Sequence, residues 1–407
     1  MNKIFYLLLL LSLYVVVGCE KNKDKDPDKT FLVYMIGNNN LASYMRTNIN
    51  SLKDVESGAY VPNYTEVGKG GNILLVYKNL TNEDPMLLRI SLDKNGRVFE
   101  EIVYEFEEHN SLDPDVMRDV LNKVDALFPA KEKGLLFSSH ATGWIPEGFY
   151  GSEGVWSAPA YSMLRYDHIP GSLNGPQEES FGEDNGREMD IKDLPKAFSK
   201  KYSYIIFDCC LMGNIEVAYE LRDCADYIVS SSAEVLAAGF PYNQIVEPLL
   251  KNEKADVKKV AEVYFDFYNL QEEENSRSAT ISLVKTAELP ALAAAARAIM
   301  DRDRSRILEL DMDELQGFHR HNQHWYYDMG QFYNKLSTNK SELEAFNAAL
   351  FSVVAYKAAT PYFLRYSRGF EIKTFSGLSN YVPNPPHTTL DPYYTGYEWN
   401  NAAGVVK

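Results

Sequence analysis

The sequence predicts an α/β fold, a three-layer sandwich with a mostly parallel central sheet covered by helices on both faces. Two observations predict it. Short, continuously apolar runs recur along the chain, as strands buried on both faces require. Segments with helical spacing of apolar residues separate most of them. The composition is ordinary for a globular protein, with 45% hydrophobic and 24% charged residues. At 407 residues the chain can bury one large core or two ordinary ones.

The first 18 residues stand apart from the fold. "MNKIFYLLLLLSLYVVVG" carries a Lys, then an apolar stretch, then small residues directly before Cys19. Such a stretch is too short and wrongly flanked for a permanent membrane span, and reads as a secretory signal. Val16-Val17-Gly18-Cys19 resembles a bacterial lipobox, which makes Cys19 the lipidated (palmitate-bearing) first residue of the mature chain. The membrane is then a partner through an N-terminal lipid anchor, and the protein faces the periplasm or the cell surface. Residues 19–30 hold the charged run "EKNKDKDPDKT", which has nothing to pack and reads as a flexible tether. Residues 31–407 read as one folded domain.

The elements follow in order. "FLVYMI" (31–36) is a strand, followed by a helical pattern through "NNNLASYMRTNINSLKDV". "NILLVY" (72–77) is a second strand. "MLLRISLDKNGRVFEEIVYEF" holds two alternating runs around Asn95-Gly96, a hairpin signal. "DPDVMRDVLNKVDALF" is a helix opened by Asp, and "GLLFSSH" (134–140) is the next strand. "YSYIIFDC" (202–209) leads into a helix starting at about Gly213, and "DYIVSSS" (226–232) follows. "ATISLV" (279–284) leads into an Ala-rich helix near 289–300. Between these, residues 141–190 are rich in Gly, Pro, Ser and Glu without sustained periodicity, which predicts a long functional loop. From about Lys254 the chain is helix-rich, with a late apolar run "GLSNYVP" (377–383) and no linker to mark a separate domain.

In folds of this kind the chemistry sits at the C-terminal ends of the parallel strands. That rule selects Gly37-Asn38, His140, Asp208 to Cys210, and Ser230 to Glu234. With Cys19 set aside, three cysteines remain, an odd number that builds no disulfide framework. Cys209 and Cys210 are neighbours, and the trans peptide between them holds their sulfurs in poor geometry for a bridge. Strand alternation sends Asp208 and Cys210 to one face and Phe207 and Cys209 to the other. Cys210, at a strand end before a helix N-terminus, is placed to become a thiolate nucleophile. Cys209 reads as a small apolar filler. A thiolate needs a base, and His140 alone of seven histidines ends a predicted core strand. Trp144 behind it offers an apolar wall. His319, His321 and His324 are interleaved with Arg and aromatics and read as surface histidines, so no metal site is assigned. "GNNNL" after the first strand lacks the glycines of a phosphate loop and is a weak nucleotide signal. The formal charge of −16 argues against nucleic acid as a partner.

"SSHATGW" followed by "FDCCLMGNIEVAYEL" resembles the clostripain family of cysteine endopeptidases, in the caspase-like clan with gingipains and legumains. The likeness extends to "FLVYMIGNNNL", "ADYIVSSSAEVLAAGFPY", "YYDMGQFYNKL" and "SGLSNYVP", and so to nearly everything after the tether. It implies a caspase-like sandwich and hydrolysis of peptide or protein substrates after Arg or Lys at P1. Carried over by position, Cys210 is the nucleophile and His140 completes the dyad. The backbone N–H groups at Cys210 and Ala141 form the oxyanion hole, and Asp208 reads the basic side chain. Ser231 and Trp144 join Asp208 as substrate-binding residues. The residues alone also allow Asp208 to orient His140. Ala141 departs from the family's Gly, and would add steric cost if positive φ were needed there. A catalytically weak or inactive binding lipoprotein on the same fold is therefore the rival reading. Many relatives are zymogens that cut the loop between the His and Cys strands, and Arg165 and Arg187 are the basic residues available in residues 141–191. A monomer is expected, with no cofactor required for the chemistry; the resemblance also carries calcium dependence, for which no site is placed.

Intact-mass analysis of the membrane fraction is expected to find a chain beginning at lipid-modified Cys19, and Cys19→Ser is expected to release the protein from membranes. An unmodified Cys19, or a mature terminus elsewhere, would remove the anchor.

Overall fold

In the computed structural model, the described residues are 28–53, 71–93, 95, 97–147, 149, 181–320 and 325–407. The signal, nearly all of the tether, Cys19, Arg165, His321 and His324 lie outside them. The apolar runs form β1 (Lys29–Gly37), β2 (Ile73–Leu80), β3 (Met86–Leu92), β4 (Val98–Glu105) and β5 (Glu132–Ser138). A small hairpin, β6 (Phe181–Asp184) and β7 (Arg187–Met189), comes next. It is followed by β8 (Tyr202–Asp208), β9 (Ala225–Ser230), β10 (Thr280–Lys285), the short β11 (Tyr327–Asp328) and β12 (Val354–Ala359).

Nine of these strands make one sheet in the order β12-β10-β9-β8-β5-β1-β2-β3-β4. The five central strands, β9 to β2, run parallel. The outer pair on each side is antiparallel. β1 is buried along its whole length, because its two faces feed two different cores. Leu32, Tyr34 and Ile36 belong to the core that also takes in helices Pro114–Leu127 and Leu289–Asp303. Phe31, Val33 and Met35 pack with helices Ala42–Leu52, Tyr242–Leu250 and Val257–Asn269. Helices therefore cover both faces, the three layers that the continuous apolar strands predict. The region after Lys254 shares this core, since β10 and β12 extend the same sheet.

Two elements differ from the sequence reading. The end of the expected irregular stretch 141–190 is the β6–β7 hairpin, turned by Asn185 (φ 53°) and Gly186 (φ 75°). That pair of positive φ values is the signature of an Asn-Gly turn. β12 carries no apolar run: it emerges directly from helix Lys340–Val353 as a half-buried edge strand.

The β6–β7 hairpin is stitched onto the ends of β1 and β5. Gly182 N–H donates to the His140 carbonyl at 2.9 Å, and Asn185 N–H donates to the Asn38 carbonyl at 3.0 Å. Glu183 N–H donates to Ser139 Oγ at 3.1 Å.

Candidate active site

β5 and β8 are parallel neighbours, with Ser138 opposite Asp208. Two residues further along each chain come His140 and Cys210, just beyond the last paired residues of the two neighbouring strands. The chain passes from β1 to β2 on one side and returns to β5 on the other. The crevice of such a sheet opens where the strand order reverses, and His140 sits there.

His140 is buried, and burial pushes its imidazole down to about 4, so the ring is neutral near pH 7. Its Nε2 lies 2.7 Å from Oδ1 of Asn40, just beyond β1. Cys210 is half-buried. Its Sγ accepts from Val235 N–H at 3.3 Å and lies 3.6 Å from the Val235 carbonyl. Cys209 is buried in the core that holds Phe137 and Phe207, with its S–H toward the Phe137 carbonyl at 3.5 Å. Burial raises the Cys209 thiol well above its usual range and pushes Cys224 up to about 12.

The turn that carries Cys210 is tightly specified. Leu211 takes a left-handed φ of 58°, sparsely populated for a bulky residue. Leu211 N–H donates to Ala233 O at 3.0 Å and Gly213 N–H to Ser231 O at 2.7 Å. The following helix starts at Ile215, slightly later than expected, with Asn214 as its cap: Oδ1 accepts from Val217 N–H at 2.9 Å. The histidine turn approaches this turn through Gly143 (φ +66°), where an added Cβ would stand 2.4 Å from the Leu211 carbonyl oxygen.

Asp208 is buried beneath the same segment that holds Cys210. Its Oδ2 accepts from Tyr242 OH at 2.6 Å and Ser138 OH at 3.3 Å, and the Phe240 N–H adds a third hydrogen bond. Burial outweighs these bonds and raises the carboxyl to about 6. Gly239 (φ +67°) passes so close that a Cβ would lie 2.5 Å from Oδ2. Asp208 thus bonds Ser138, Tyr242 and Phe240, whereas His140 is held by Asn40, so these contacts do not place Asp208 as the orienter of His140. Asp208 has no salt-bridge partner among the described residues.

Three assignments need correction. Ser231 is fully buried, and its hydroxyl meets Thr280 Oγ1 at 2.8 Å and the Ala233 carbonyl at 2.9 Å, so it serves the core rather than a pocket. Trp144 is likewise buried, among Tyr326, Tyr381, Tyr394 and Tyr397. Its Nε1–H donates to the Trp325 carbonyl at 3.3 Å, so it braces the histidine turn from behind instead of walling a pocket. His319 is a core residue facing Tyr326, at 5.6 Å between rings, not a surface histidine. Ala141 is not among the residues with positive φ, and it bridges to Phe181. The Gly-to-Ala departure therefore carries no backbone strain. The sequence reading also missed a buried ion pair: Arg320 reaches Glu234 in bidentate fashion, Nη2 to Oε1 2.6 Å, beside Val235.

A model of the clostripain family matches residues 33–157 and 173–401. The chain belongs to the clostripain family. By that membership it is a cysteine peptidase, and two solved structures agree with the caspase-like sandwich. One is an inactive zymogen C11 protease from Parabacteroides distasonis, 28% identical, with 94% of this chain and 99% of that one covered at a TM-score of 0.76. The other is a secreted C11 cysteine protease from Bacteroides thetaiotaomicron in complex with an irreversible peptide inhibitor. It is 25% identical, with 93% of this chain and 99% of that one covered at a TM-score of 0.75. No curated protein matches the chain.

Glu216, six residues after Cys210 in this clostripain-family chain, is also buried and raised to about 7 by that burial. It accepts from Tyr381 N–H at 2.9 Å and from Tyr394 OH. Both Asp208 and Glu216 hold protons in the folded state at pH values where the unfolded chain releases them. Their contribution to stability is complete below about pH 4 and is lost as pH rises through about 6 and 7. It is on the order of 3 kcal/mol for each carboxyl. Melting curves across pH 4–8 are expected to fall with pH in the wild type and to flatten in Asp208→Asn and Glu216→Gln. Superimposable curves would contradict the assignment.

Proposed function

We propose that the protein is a cysteine endopeptidase cleaving after Arg or Lys, with Cys210 as nucleophile and His140 as proton carrier. The observation that supports this reading is the parallel register of β5 and β8, which pairs Ser138 with Asp208 and leaves His140 and Cys210 two residues beyond that last pair. His140, neutral at working pH, takes the Cys210 proton, and the sulfur attacks the scissile carbonyl carbon. The oxyanion is held by the N–H of Cys210 and the N–H at Ala141. His140 then protonates the leaving amine, and water releases the acyl group with His140 again as base. Val235, which engages Cys210 Sγ, has to yield room for the substrate carbonyl.

Asp208 supplies specificity. A buried carboxyl with only neutral hydrogen-bond donors is complementary to a P1 guanidinium or ammonium, and a charge-assisted pair is worth roughly 1.5–3 kcal/mol. The relatives' descriptions as a secreted protease and an inhibitor-bound protease support export and peptide substrates for this chain too. With Cys19 as anchor, the site works outside the cytoplasm at a membrane surface. The relaxed backbone of Ala141 favours a working enzyme over an inactive binding lipoprotein.

With fluorogenic peptides differing only at P1, Asp208→Asn is expected to lower kcat/KM for Arg and Lys by at least about tenfold, one decade being about 1.4 kcal/mol. Alkylation of Cys210 by a small neutral reagent is expected to persist. Equal loss on basic and neutral peptides, with blunted alkylation, would remove Asp208 from the pocket and leave the peptidase standing. Cys210→Ala is expected to abolish cleavage, and wild-type cleavage that survives it would end the reading.

Activation is expected to cut the loop between the His and Cys strands. Arg187 lies in β7, paired with Asp184, where its backbone is already laddered and poorly available as an extended substrate. Cleavage after Arg165 is therefore expected, and N-terminal sequencing is expected to show the new terminus in wild type and its absence in Cys210→Ala. A terminus outside residues 141–191, or cutting that survives the substitution, would contradict self-processing.

A further inference from the structure

The side chains of the three asparagines that follow β1 all bond protein groups. Asn38 Nδ2 donates to Asp184 Oδ1 at 3.1 Å. Asn39 Nδ2 donates to the carbonyls of Glu183, at 2.8 Å, and Ile36, at 3.2 Å, while its Oδ1 accepts from Leu41 N–H at 2.8 Å. Asn40 then places Oδ1 2.7 Å from His140 Nε2. The first two asparagines fix the turn, and the third uses it.

The turn and the histidine share one support. Asp184 also accepts from Asn79 Nδ2 at 3.0 Å and from Ser111 N–H at 2.6 Å, tying in the end of β2. Its hairpin donates N–H groups to Ser139 Oγ and the His140 carbonyl. Asn40 and His140 are thus held against the same β6 hairpin, and their separation is set by backbone rather than by two loose side chains.

A carboxamide oxygen can only accept, so the imidazole nitrogen facing it carries the proton. In a neutral ring the other nitrogen, Nδ1, is then the acceptor. We propose that Asn40 is a positioning residue that fixes His140 in its Nε2-protonated tautomer, so that Nδ1 exchanges protons with Cys210 and the leaving amine. This role rests on the peptidase reading. An uncharged orienter suits a base that must stay neutral: a carboxylate at the same place would stabilise imidazolium and raise its pKa.

The test compares the mature wild-type chain, Asn40→Ala and Asn40→Asp. Asn40→Ala is expected to lower kcat on a P1-Arg peptide by at least about tenfold with KM within about twofold, since a freed ring loses its productive tautomer. Asn40→Asp, which keeps the acceptor, is expected to retain more kcat than Asn40→Ala and to move the pH limb governed by His140 upward by about one unit or more. Nitrogen NMR of labelled histidine in the Cys210→Ala background reads the tautomer without any turnover. The Nε2–H form is expected with Asn40 and a mixture with Ala at that position. An Nδ1–H ring in the presence of Asn40, or the same tautomer in its absence, would overturn the proposal. So would Asn40→Ala within twofold of wild-type kcat, or equal losses in both variants with an unshifted pH limb. A wild type that cleaves no basic peptide would end the peptidase reading while the NMR result still decides the role of Asn40.

Discussion

Everything at the site depends on the parallel ladder between β5 and β8. It runs in unbroken register from Gly134 opposite Tyr204 to Ser138 opposite Asp208. A slip of one residue would turn Cys210 into the core position that Cys209 holds and send Asp208 away from Tyr242. The register is defended by packing, since Ile205, Phe207 and Cys209 belong to one core while Tyr204 and Ile206 belong to the other. Beyond the ladder the two turns have no regular hydrogen bonding to align them. Close approach at Gly143 replaces it, with the Leu211 carbonyl and the Asn214 side chain filling the space that a Cβ would need.

The second support comes from the far end of the chain. Ser379 N–H donates to Gly213 O at 3.0 Å, and Ser379 forms a bridge with Asn214. Tyr381 continues the attachment through Glu216. On the histidine side, Tyr326 OH donates to the Thr142 carbonyl, and Tyr397 OH to the Trp144 carbonyl at 2.5 Å. The late apolar run thus braces the Cys210 turn, while Tyr326 and Tyr397, outside that run, brace the His140 turn. Tyr326 and Tyr397 supply hydroxyl donors for two carbonyls of the His140 turn.

The parts of this architecture legible in the sequence are those written in local periodicity. The central strands are continuous apolar runs, and the separate fates of Cys209 and Cys210 follow from a period of two. His140 and Asp208 are legible because they end strands. Ser231 and Trp144 were misplaced for one reason: a strand end says where a residue is along the sheet, not which way its side chain turns once the ladder stops. β12 hid because an edge strand with half-buried Ala and Lys has no apolar run to show. Asn185-Gly186 was a readable hairpin signal overshadowed by the irregular composition before it. The Arg320–Glu234 pair and the Asn40–His140 bond join residues 86 and 100 positions apart, and no pattern within either segment encodes the partner.

The opposed orientation of the cysteines has a consequence for oxidative wear. Cys209 is sealed in the core, and Cys224 sits at the far end of the sheet, where its carbonyl accepts from Tyr202 N–H at the start of β8. β8 is seven residues long, so about 20 Å of strand separates that end from Cys210. A sulfenic acid formed on Cys210 thus meets no resolving thiol within reach among the described residues. Its recovery depends on reductant from the surroundings, which makes the redox state of the medium a clock on the working life of the enzyme.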